Sequence, residues 1–215
     1  MSVRTHQSPL KIAVSFGTLS PQLASLLSRQ RAEEPQTPVL LREVSLVEQL
    51  RGLEDGRYDG GLALTSASGC SVKARPLWHD ELALALPADS PLLAFDAIPL
   101  KELPRYPVVR WCAQACEPLS QLVDTLFDKH PARLHTACVR TYELMAILVD
   151  AGYGIGLGAR SHIVAFRSPK IVMRPLAGDP HELTTYLLCP IAEASAIDRL
   201  AERAQAISRN GIRYM

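Results

Sequence analysis

Strand-like and helix-like segments alternate along the first third of the chain, and this alternation limits the possible folds more than any other feature. Leu10–Phe16 is a nearly continuous apolar run, as expected for a strand that is buried on both faces. Ser20-Pro21 begins a helix, Val39–Val44 is a strand, and the capping box Ser45–Glu48 opens a second helix. With the strand Tyr58–Leu64, this β-α-β-α-β order with short connections predicts an α/β fold with a parallel, doubly wound sheet.

The same alternation begins again after a proline-rich stretch between residues 87 and 107. A strand at Val108–Trp111, an apolar helical stripe over Leu119–Phe127 and a strand at His135–Arg140 predict a second α/β lobe. Further strands are predicted before and after this lobe, and a C-terminal amphipathic helix ends the chain. These strands cover Val72–Trp78, Glu81–Leu86, Ile171–Arg174 and Leu183–Cys189.

Four glycines at alternate positions follow a predicted helix and enter a short strand, in the segment Leu148–Ala159. They are Gly152, Gly154, Gly156 and Gly158. A dinucleotide fingerprint requires the opposite order, in which a strand precedes the glycine turn and a helix follows it, so that interpretation is rejected. Glycine permits turns and close approach of the backbone, which favours a crevice for a small ligand beside this segment.

Composition excludes several classes of protein. The 215 residues carry a formal net charge of +1, which does not favour a nucleic-acid surface or a membrane surface. No signal peptide and no apolar run of membrane-spanning length is visible in the sequence, so a soluble cytoplasmic protein is expected. The five cysteines are odd in number and scattered, which is typical of reduced cytosolic thiols and not of a disulfide scaffold.

Four segments resemble the effector-binding half of LysR-type transcriptional regulators, and the resemblance runs from Lys11 to the terminal helix. The segments are Ile12–Leu27, Leu50–Leu62, Leu82–Leu92 and Val149–Ala159, the last with Ala159 where the family usually has proline. None of these segments is catalytic, but their order and spacing together carry the resemblance.

The resemblance implies a two-lobed fold of the type II periplasmic-binding kind, in which each lobe has a mostly parallel, doubly wound sheet and two strands form the hinge. Lobe I would comprise residues 10–87 and 188–215, and lobe II residues 88–187. It implies that a small-molecule effector sits between the lobes and biases their orientation, without catalysis and without a cofactor. Family members carry a winged helix-turn-helix that has no counterpart in this sequence, so DNA is expected to bind only through a domain absent from this chain.

The resemblance also implies a homodimer. The Pro21–Arg31 helix and the Val39–Val44 strand would face the Leu119–Phe127 helix of a second copy. The leucines on these helices are equally consistent with an intramolecular core, and the sequence does not decide between the two.

Ligands of open α/β sheets lie beyond the carboxyl ends of strands, near the amino termini of helices. In the first lobe this rule selects Gly17, Thr18, Ser20, Ser45, Leu46 and Thr65. Ser20 and Ser45 are equally well explained as helix caps. Thr18 precedes the cap and is favoured as a ligand contact.

In the second lobe the same rule selects Arg110, Trp111, Arg140 and Thr141. An arginine there can pair bidentately with a carboxylate, and a tryptophan can stack on an apolar body. Arg110 and Trp111 are favoured as ligand contacts, whereas Arg140 is favoured as a structural residue. If both arginines face the ligand, the effector is an anion such as an organic carboxylate.

Three other functions are weighed against a sensor. A redox switch at Cys112 and Cys116 is disfavoured against two inert thiols, and the six histidines form no ligand-spaced set with the cysteines, so no metal is expected. A dehydratase-like enzyme on the same fold would need an acid-base group, and none of the selected positions is His, Asp or Glu. A solute-binding protein of a transporter is disfavoured by the free cysteines and by the lack of a visible signal peptide.

Overall fold

The computed structural model describes residues 8–66, 72–127, 133–191 and 195–209. The chain forms two compact units: unit 1 comprises Met1–His79 and Thr184–Met215, and unit 2 comprises Asp80–Leu183. The strands are β1 (Leu10–Ser15), β2 (Val39–Val44), β3 (Gly60–Ala63), β4 (Val72–Pro87), β5 (Pro107–Trp111), β6 (Arg133–Val139), β7 (Ile155–Ala159), β8 (Ile171–Pro175) and β9 (Glu182–Pro190). The α-helices are α1 (Pro21–Glu33), α2 (Leu46–Glu54), α3 (Glu117–Phe127), α4 (Tyr142–Asp150), α5 (Arg160–Ala165) and α6 (Ser195–Arg209).

Unit 1 is built around β1, which pairs in parallel with β2 on one side and with β3 on the other. The strand β9 extends this sheet by pairing antiparallel with β3. Side chains on β1 alternate between two apolar clusters, because successive residues of a strand point to opposite faces. Ile12 and Val14 pack with helices α1 and α6, whereas Ala13 packs with Leu53 of α2. Helices therefore cover both faces of the sheet, as the predicted doubly wound arrangement requires.

Unit 2 repeats the arrangement with β5 at its centre. This strand pairs in parallel with β6 and with β7, while β4 pairs antiparallel with β7 and with β8. Val108 and Val109 of β5 are almost fully buried. Two short 3-10 helices, Pro91–Ala94 and Leu100–Arg105, occupy the proline-rich stretch that separates β4 from β5.

The long strand β4 differs from the sequence prediction, which divided it into two strands around His79 and Asp80. The backbone continues through these polar residues as one strand of 16 residues. Both β4 and β9 run from one unit into the other, with the changes at His79/Asp80 and Leu183/Thr184. The lobe boundaries predicted from the sequence, after residues 87 and 187, fall within or at the end of the same two strands and stay a prediction.

The helices α1 and α6 of unit 1 are joined by a network of charged groups. Arg203, which is 9% exposed, donates to Gln30 Oε1 at 2.7 Å, to Glu33 Oε2 at 2.6 Å and to Glu34 Oε1 at 2.6 Å. Arg199 also donates to the Glu34 carboxylate. These hydrogen bonds satisfy a guanidinium that would otherwise be buried at high cost.

None of the helices in the described ranges is both long enough and apolar enough to cross a membrane.

Glu34 predicts how the stability of this protein depends on pH. Its bonds to Arg199 and Arg203 lower its pKa from the ordinary 4.5 to about 2, so the folded state binds the proton more weakly than the unfolded state. The resulting stabilisation is present above pH 4.5 and is lost as the pH falls toward 2. We expect the urea midpoint of the wild type to fall between about pH 5 and pH 3, and Glu34→Gln to lessen that fall.

The matched control is Glu81→Gln, which removes an ion pair with Arg160 in which the two side chains are 45% and 42% exposed. This variant should follow the wild-type pH profile, because exposed ion pairs contribute little. An unchanged profile for Glu34→Gln would contradict the assignment.

Candidate functional site

The first predicted contacts lie beyond the carboxyl end of β1. Gly17 adopts φ +82°, a left-handed turn conformation that favours glycine. The next residue, Thr18, is 2% exposed and its hydroxyl donates to the Ser15 carbonyl at 2.5 Å. Thr18, the residue that the sequence favoured as a ligand contact, therefore closes the turn that leads from β1 into α1.

Ser20 and Gln22 present polar atoms at the start of α1. Ser20 is the N-cap residue, but its side chain makes no capping hydrogen bond. Its Oγ and the Oε1 of Gln22 are buried, and neither finds a hydrogen-bond partner among the described residues. Because a buried polar atom costs free energy unless it is paired, these atoms are suited to a polar ligand.

Gln49 of α2 is a third polar residue of this kind, and the sequence prediction missed it. It is completely buried, and Ser15 donates a hydrogen bond to its Oε1. Its Nε2 has no partner among the residues described. A Cβ on Gly61 would lie 1.8 Å from that nitrogen, so glycine at this position leaves space for the amide.

A sequence signal for both glutamines exists in the helical spacing. Gln49 precedes Leu53 by one helical turn, and Gln22 precedes Leu26 by the same interval. Both leucines are buried, at 3% and 1% exposure. A polar residue that occupies an apolar stripe must find a partner or a ligand, which makes such positions candidates for function.

Two other predicted contacts of unit 1, Ser45 and Leu46, have structural roles. Ser45 caps α2, because its Oγ accepts a hydrogen bond from the Glu48 amide at 3.2 Å. Leu46 is half-buried and packs against the apolar cluster under α2. Thr65, after β3, is half-buried.

In unit 2, Trp111 and Arg110 lie at the carboxyl end of β5. Trp111 is 4% exposed and donates from Nε1 to the Leu157 carbonyl at 2.7 Å, so it fills the core and fastens β5 to β7. Arg110 is 30% exposed and pairs with Asp124 of α3. The charge of Arg110 is thus engaged within unit 2.

Arg140 and Thr141 follow β6 at the start of α4. Thr141 is the N-cap residue and its Oγ1 accepts from the Leu144 amide at 3.3 Å. Arg140 is exposed and makes no ion pair with any residue that the structure describes. The sequence favours Arg110 as a ligand contact and Arg140 as a structural residue. In the structure it is Arg110 that forms an ion pair, whereas Arg140 is the exposed cation at a helix amino terminus.

The glycine segment packs within unit 2. Gly152 has φ +76° and ends α4 in a left-handed turn. A Cβ on Gly154 would lie 2.4 Å from the Pro107 carbonyl oxygen, and one on Gly156 would lie 2.7 Å from Met145 Sδ. The alternating glycines predict a close approach to the backbone of this segment. In the structure Pro107 lies close to Gly154, and Met145 lies close to Gly156.

The cysteines correct the prediction that all thiols are free. Cys112 and Cys138 form a disulfide, with their Cα atoms 5.0 Å apart, and Cys116 and Cys189 are buried free thiols. Cys70 lies outside the described residues. The prediction failed because pairing of the parallel strands β5 and β6 brings together residues 26 positions apart, which spacing in the sequence does not reveal.

Two surface grooves lie at the outer edge of unit 1, away from the predicted contacts. One of about 460 Å³ is lined by Lys11, Leu40, Leu41, Arg42, Arg57 and Tyr58. The other, of about 410 Å³, is lined by residues of α1, β2 and the turn between them. Within the described ranges no cluster of three or more His, Cys, Asp or Glu residues is arranged to hold a metal.

The sequence model of the LysR substrate binding domain family matches residues 4–206 of this chain. The chain belongs to this family. A probable cat1 operon transcriptional activator of Acinetobacter lwoffii is 26% identical over 156 residues, which cover 71% of this chain and 52% of that protein. A probable nitrogen assimilation transcriptional activator of Synechocystis sp. (strain ATCC 27184 / PCC 6803 / Kazusa) is 23% identical over 187 residues, or 86% and 57% of the two chains. The chain therefore spans about half the length of these curated relatives.

Solved structures confirm the predicted fold class. The BenM effector-binding domain with its effector benzoate has a TM-score of 0.84 and 22% identity, covering 94% of this chain and 92% of that one. The reduced OxyR regulatory domain from Pseudomonas aeruginosa has a TM-score of 0.80 and 20% identity, covering 92% and 98%. The α/β fold is thus of the type II periplasmic-binding kind that these regulatory domains share.

Gly154 and Gly158 provide a test of the packing assigned to the glycine segment. Gly154→Ala should lower the free energy of unfolding by about 1–3 kcal/mol, because its Cβ would meet backbone that has no rotamer to change. The control Gly158→Ala should stay within about 0.5 kcal/mol of the wild type, since a Cβ there has ordinary contacts. Its nearest neighbour would be Met145 Cε at 3.5 Å. Urea denaturation measures both variants, and equal losses would contradict the assignment.

Proposed function

We propose that this chain is the effector-sensing part of a LysR-type transcriptional regulator and that its effector is a small organic carboxylate. The observation that carries the proposal is the LysR substrate-binding domain match over residues 4–206. The names of both curated relatives describe transcriptional activators, and the effector in the BenM structure is benzoate. In the proposed regulator, effector binding shifts the populations of conformational states, and DNA is bound by another part of the same protein.

Unit 1 supplies uncharged hydrogen-bonding groups to this proposed sensor. The buried, unpartnered Oγ of Ser20 supports its role as a ligand contact, and Gln22 and Gln49 join it. Three candidates become weaker because they have the structural roles described above: Thr18, Ser45 and Leu46. Thr65 stays a candidate. A ligand with both donor and acceptor atoms would satisfy this set, because Gln49 Nε2 donates whereas Gln22 Oε1 accepts.

The cationic candidates lie in unit 2. Arg140 is the stronger candidate for the carboxylate, because it is exposed at the amino terminus of α4 and unpaired within the described residues, where the helix dipole also favours an anion. Arg110 would first have to leave Asp124. The guanidinium of Arg140 can bind a carboxylate through two parallel hydrogen bonds.

A non-catalytic role and a cytoplasmic location are part of the same proposal. The relatives are transcriptional regulators by name, which favours a sensor over a dehydratase-like enzyme or a solute-binding protein on this fold. The cytoplasmic location is proposed because a regulator of transcription acts in the compartment that contains the DNA.

We also propose that the sensor is a homodimer, in which α4 of one copy docks on the β2 edge of the other. Helix α3 is a poor partner, since its apolar residues Leu119, Val123 and Phe127 are buried in unit 2. In contrast, α4 exposes Leu144 at 44% and Ile147 at 62%.

The β2 edge offers a matching surface. This strand is the last of its sheet, and it exposes Leu40 at 54% and Leu41 at 42%. Lys11 and Arg42 line the groove beside these leucines, whereas the exposed acid Glu143 lies next to Leu144 on α4. Apolar surface thus meets apolar surface with opposite charges around it, and a two-fold axis would form the contact twice.

Carboxylate binding is tested with benzoate as the first probe, followed by other aromatic and aliphatic carboxylates. At about one hundred times the dissociation constant, a ligand should raise the melting temperature by roughly 5–10 °C. Arg140→Ala should weaken the affinity for the hit by about 10- to 100-fold, because a charged hydrogen bond is lost, and Ser20→Ala should weaken it by about tenfold.

The controls are Arg105→Ala, an exposed arginine paired with Glu102, and Ser25→Ala, a serine on the same helix as Ser20 that bonds to the Pro21 carbonyl. Both should bind the probe like the wild type. A carboxylate that binds equally well to Arg140→Ala and less well to Arg110→Ala would transfer the role to Arg110. If none of the carboxylates changes the melting temperature, the proposed carboxylate effector is refuted.

The dimer is tested by sedimentation velocity at several protein concentrations. Ile147→Asp should convert the dimer to a monomer, because a charge would enter the apolar contact, while its melting temperature should stay near that of the wild type. The matched control Gln121→Asp places the same charge on the exposed face of α3 and should leave the dimer intact. Dissociation by Gln121→Asp alone would assign the contact to α3.

A further inference from the structure

The disulfide in unit 2 joins the two strand ends that carry the second set of predicted contacts. Cys112 follows directly after Trp111 of β5, and Cys138 precedes Val139 of β6. In the strand register Arg110 pairs with Cys138 and Trp111 with Val139. The Cys112 amide also donates to the Val139 carbonyl at 2.8 Å.

The two sulfur-bearing residues differ in exposure. Cys138 is exposed, whereas Cys112 is 7% exposed. A small thiol can therefore approach the bridge from the side of Cys138, and Cys112 is then the protected leaving group that stays inside the fold.

The third cysteine of this region is unsuited to competing for the bridge. Cys116 lies four residues after Cys112 across a turn, and its amide donates to the Cys112 carbonyl at 2.9 Å. Its side chain is buried, and burial raises the pKa of its thiol to about 11. Because the thiolate is the attacking species, Cys116 is a poor nucleophile at neutral pH.

We propose that Cys112 and Cys138 form a reversible redox-modification site, which exchanges with a low-molecular-weight thiol–disulfide couple of the glutathione type and fastens the ends of β5 and β6 when it is oxidised. Arg140 and Thr141 follow the bridged end of β6, so the site controls the freedom of the proposed ligand contacts there. The site itself goes beyond the proposed effector function and is tested without an effector.

The exchange is balanced in atoms and electrons. In oxidation, the Cys138 thiolate attacks glutathione disulfide, which forms a mixed disulfide and releases one glutathione. The Cys112 thiolate then attacks the Cys138 sulfur and releases the second glutathione, so two electrons pass from the two cysteines to the glutathione disulfide. The two thiol protons end on the two glutathione molecules, and the reverse sequence opens the bridge.

The sequence gives a direct measurement of this exchange. Trypsin cuts after Arg110, Lys129, Arg133 and Arg140, so Cys112 and Cys116 lie on the peptide 111–129 and Cys138 lies on the peptide 134–140. A Cys112–Cys138 bridge links these peptides, whereas a Cys112–Cys116 bridge would stay within one of them. The folded chain is equilibrated in glutathione buffers of increasing oxidised fraction, quenched with N-ethylmaleimide, digested and analysed by mass spectrometry.

We expect the linked peptides to rise from a minor to the dominant species as glutathione is oxidised, and to disappear again in dithiothreitol without unfolding. Cys116→Ser should show the same transition, and Cys138→Ser should show none. The proposal is overturned if the peptides stay unlinked in every buffer, if the link resists dithiothreitol in the folded protein, or if Cys112 links to Cys116.

A second measurement needs no variant. Hydrogen exchange of the Cys112 amide, which bonds across to Val139, should be at least about tenfold faster in the reduced wild type than in the oxidised one. Equal exchange in both states would overturn the control of the strand ends. A failed benzoate screen would leave both of these results unaffected, so failure of the effector proposal and failure of the redox proposal are distinguishable.

Discussion

The central strands β1 and β5 are buried on both faces, and most of the structure follows from this burial. A parallel strand that has apolar residues on both faces needs a layer of helices on each side, and each helix must cross back along the sheet to start the next strand. The carboxyl ends of the parallel strands therefore meet at one edge of each unit, where the helix amino termini begin. Ser20 and Arg140 are placed there by this topology.

The elements of the fold were predictable because their causes are local. The apolar run at Leu10–Phe16 predicts strand β1, and the capping box at Ser45 predicts the start of helix α2. The structure has both elements. The join of two predicted strands into β4 was not predictable in the same way. His79 and Asp80 interrupt the apolar pattern, but partners outside the strand engage their side chains: His79 contacts the Thr184 hydroxyl at 2.9 Å and Asp80 accepts from the Ser161 hydroxyl at 2.5 Å.

The sequence predicts positions for the candidate site, but it does not predict which contacts each side chain makes there. The strand-end rule selects loops at the carboxyl ends of strands, because it depends only on topology. Whether Thr18 or Ser20 keeps a free hydroxyl depends on which one meets the Ser15 carbonyl, and whether Arg110 or Arg140 keeps a free charge depends on where Asp124 lies. These are pairwise contacts across the fold, and a serine or an arginine looks the same in the sequence with or without its partner.

The disulfide is another pairwise contact that the sequence does not reveal. The scattered cysteines indicate free thiols when each is considered by its neighbours in the chain, but pairing between β5 and β6 sets the Cα atoms of Cys112 and Cys138 5.0 Å apart. A bridge at this place adds a covalent connection to strand ends that hydrogen bonds already join. Its consequence is therefore local: opening it does not remove the sheet, but it leaves the Cys112–Val139 hydrogen bond to hold the end of β6 from which Arg140 extends. In the proposed redox site, the state of the sulfurs would therefore act on the position of Arg140 through the backbone of Val139, the residue between Cys138 and Arg140.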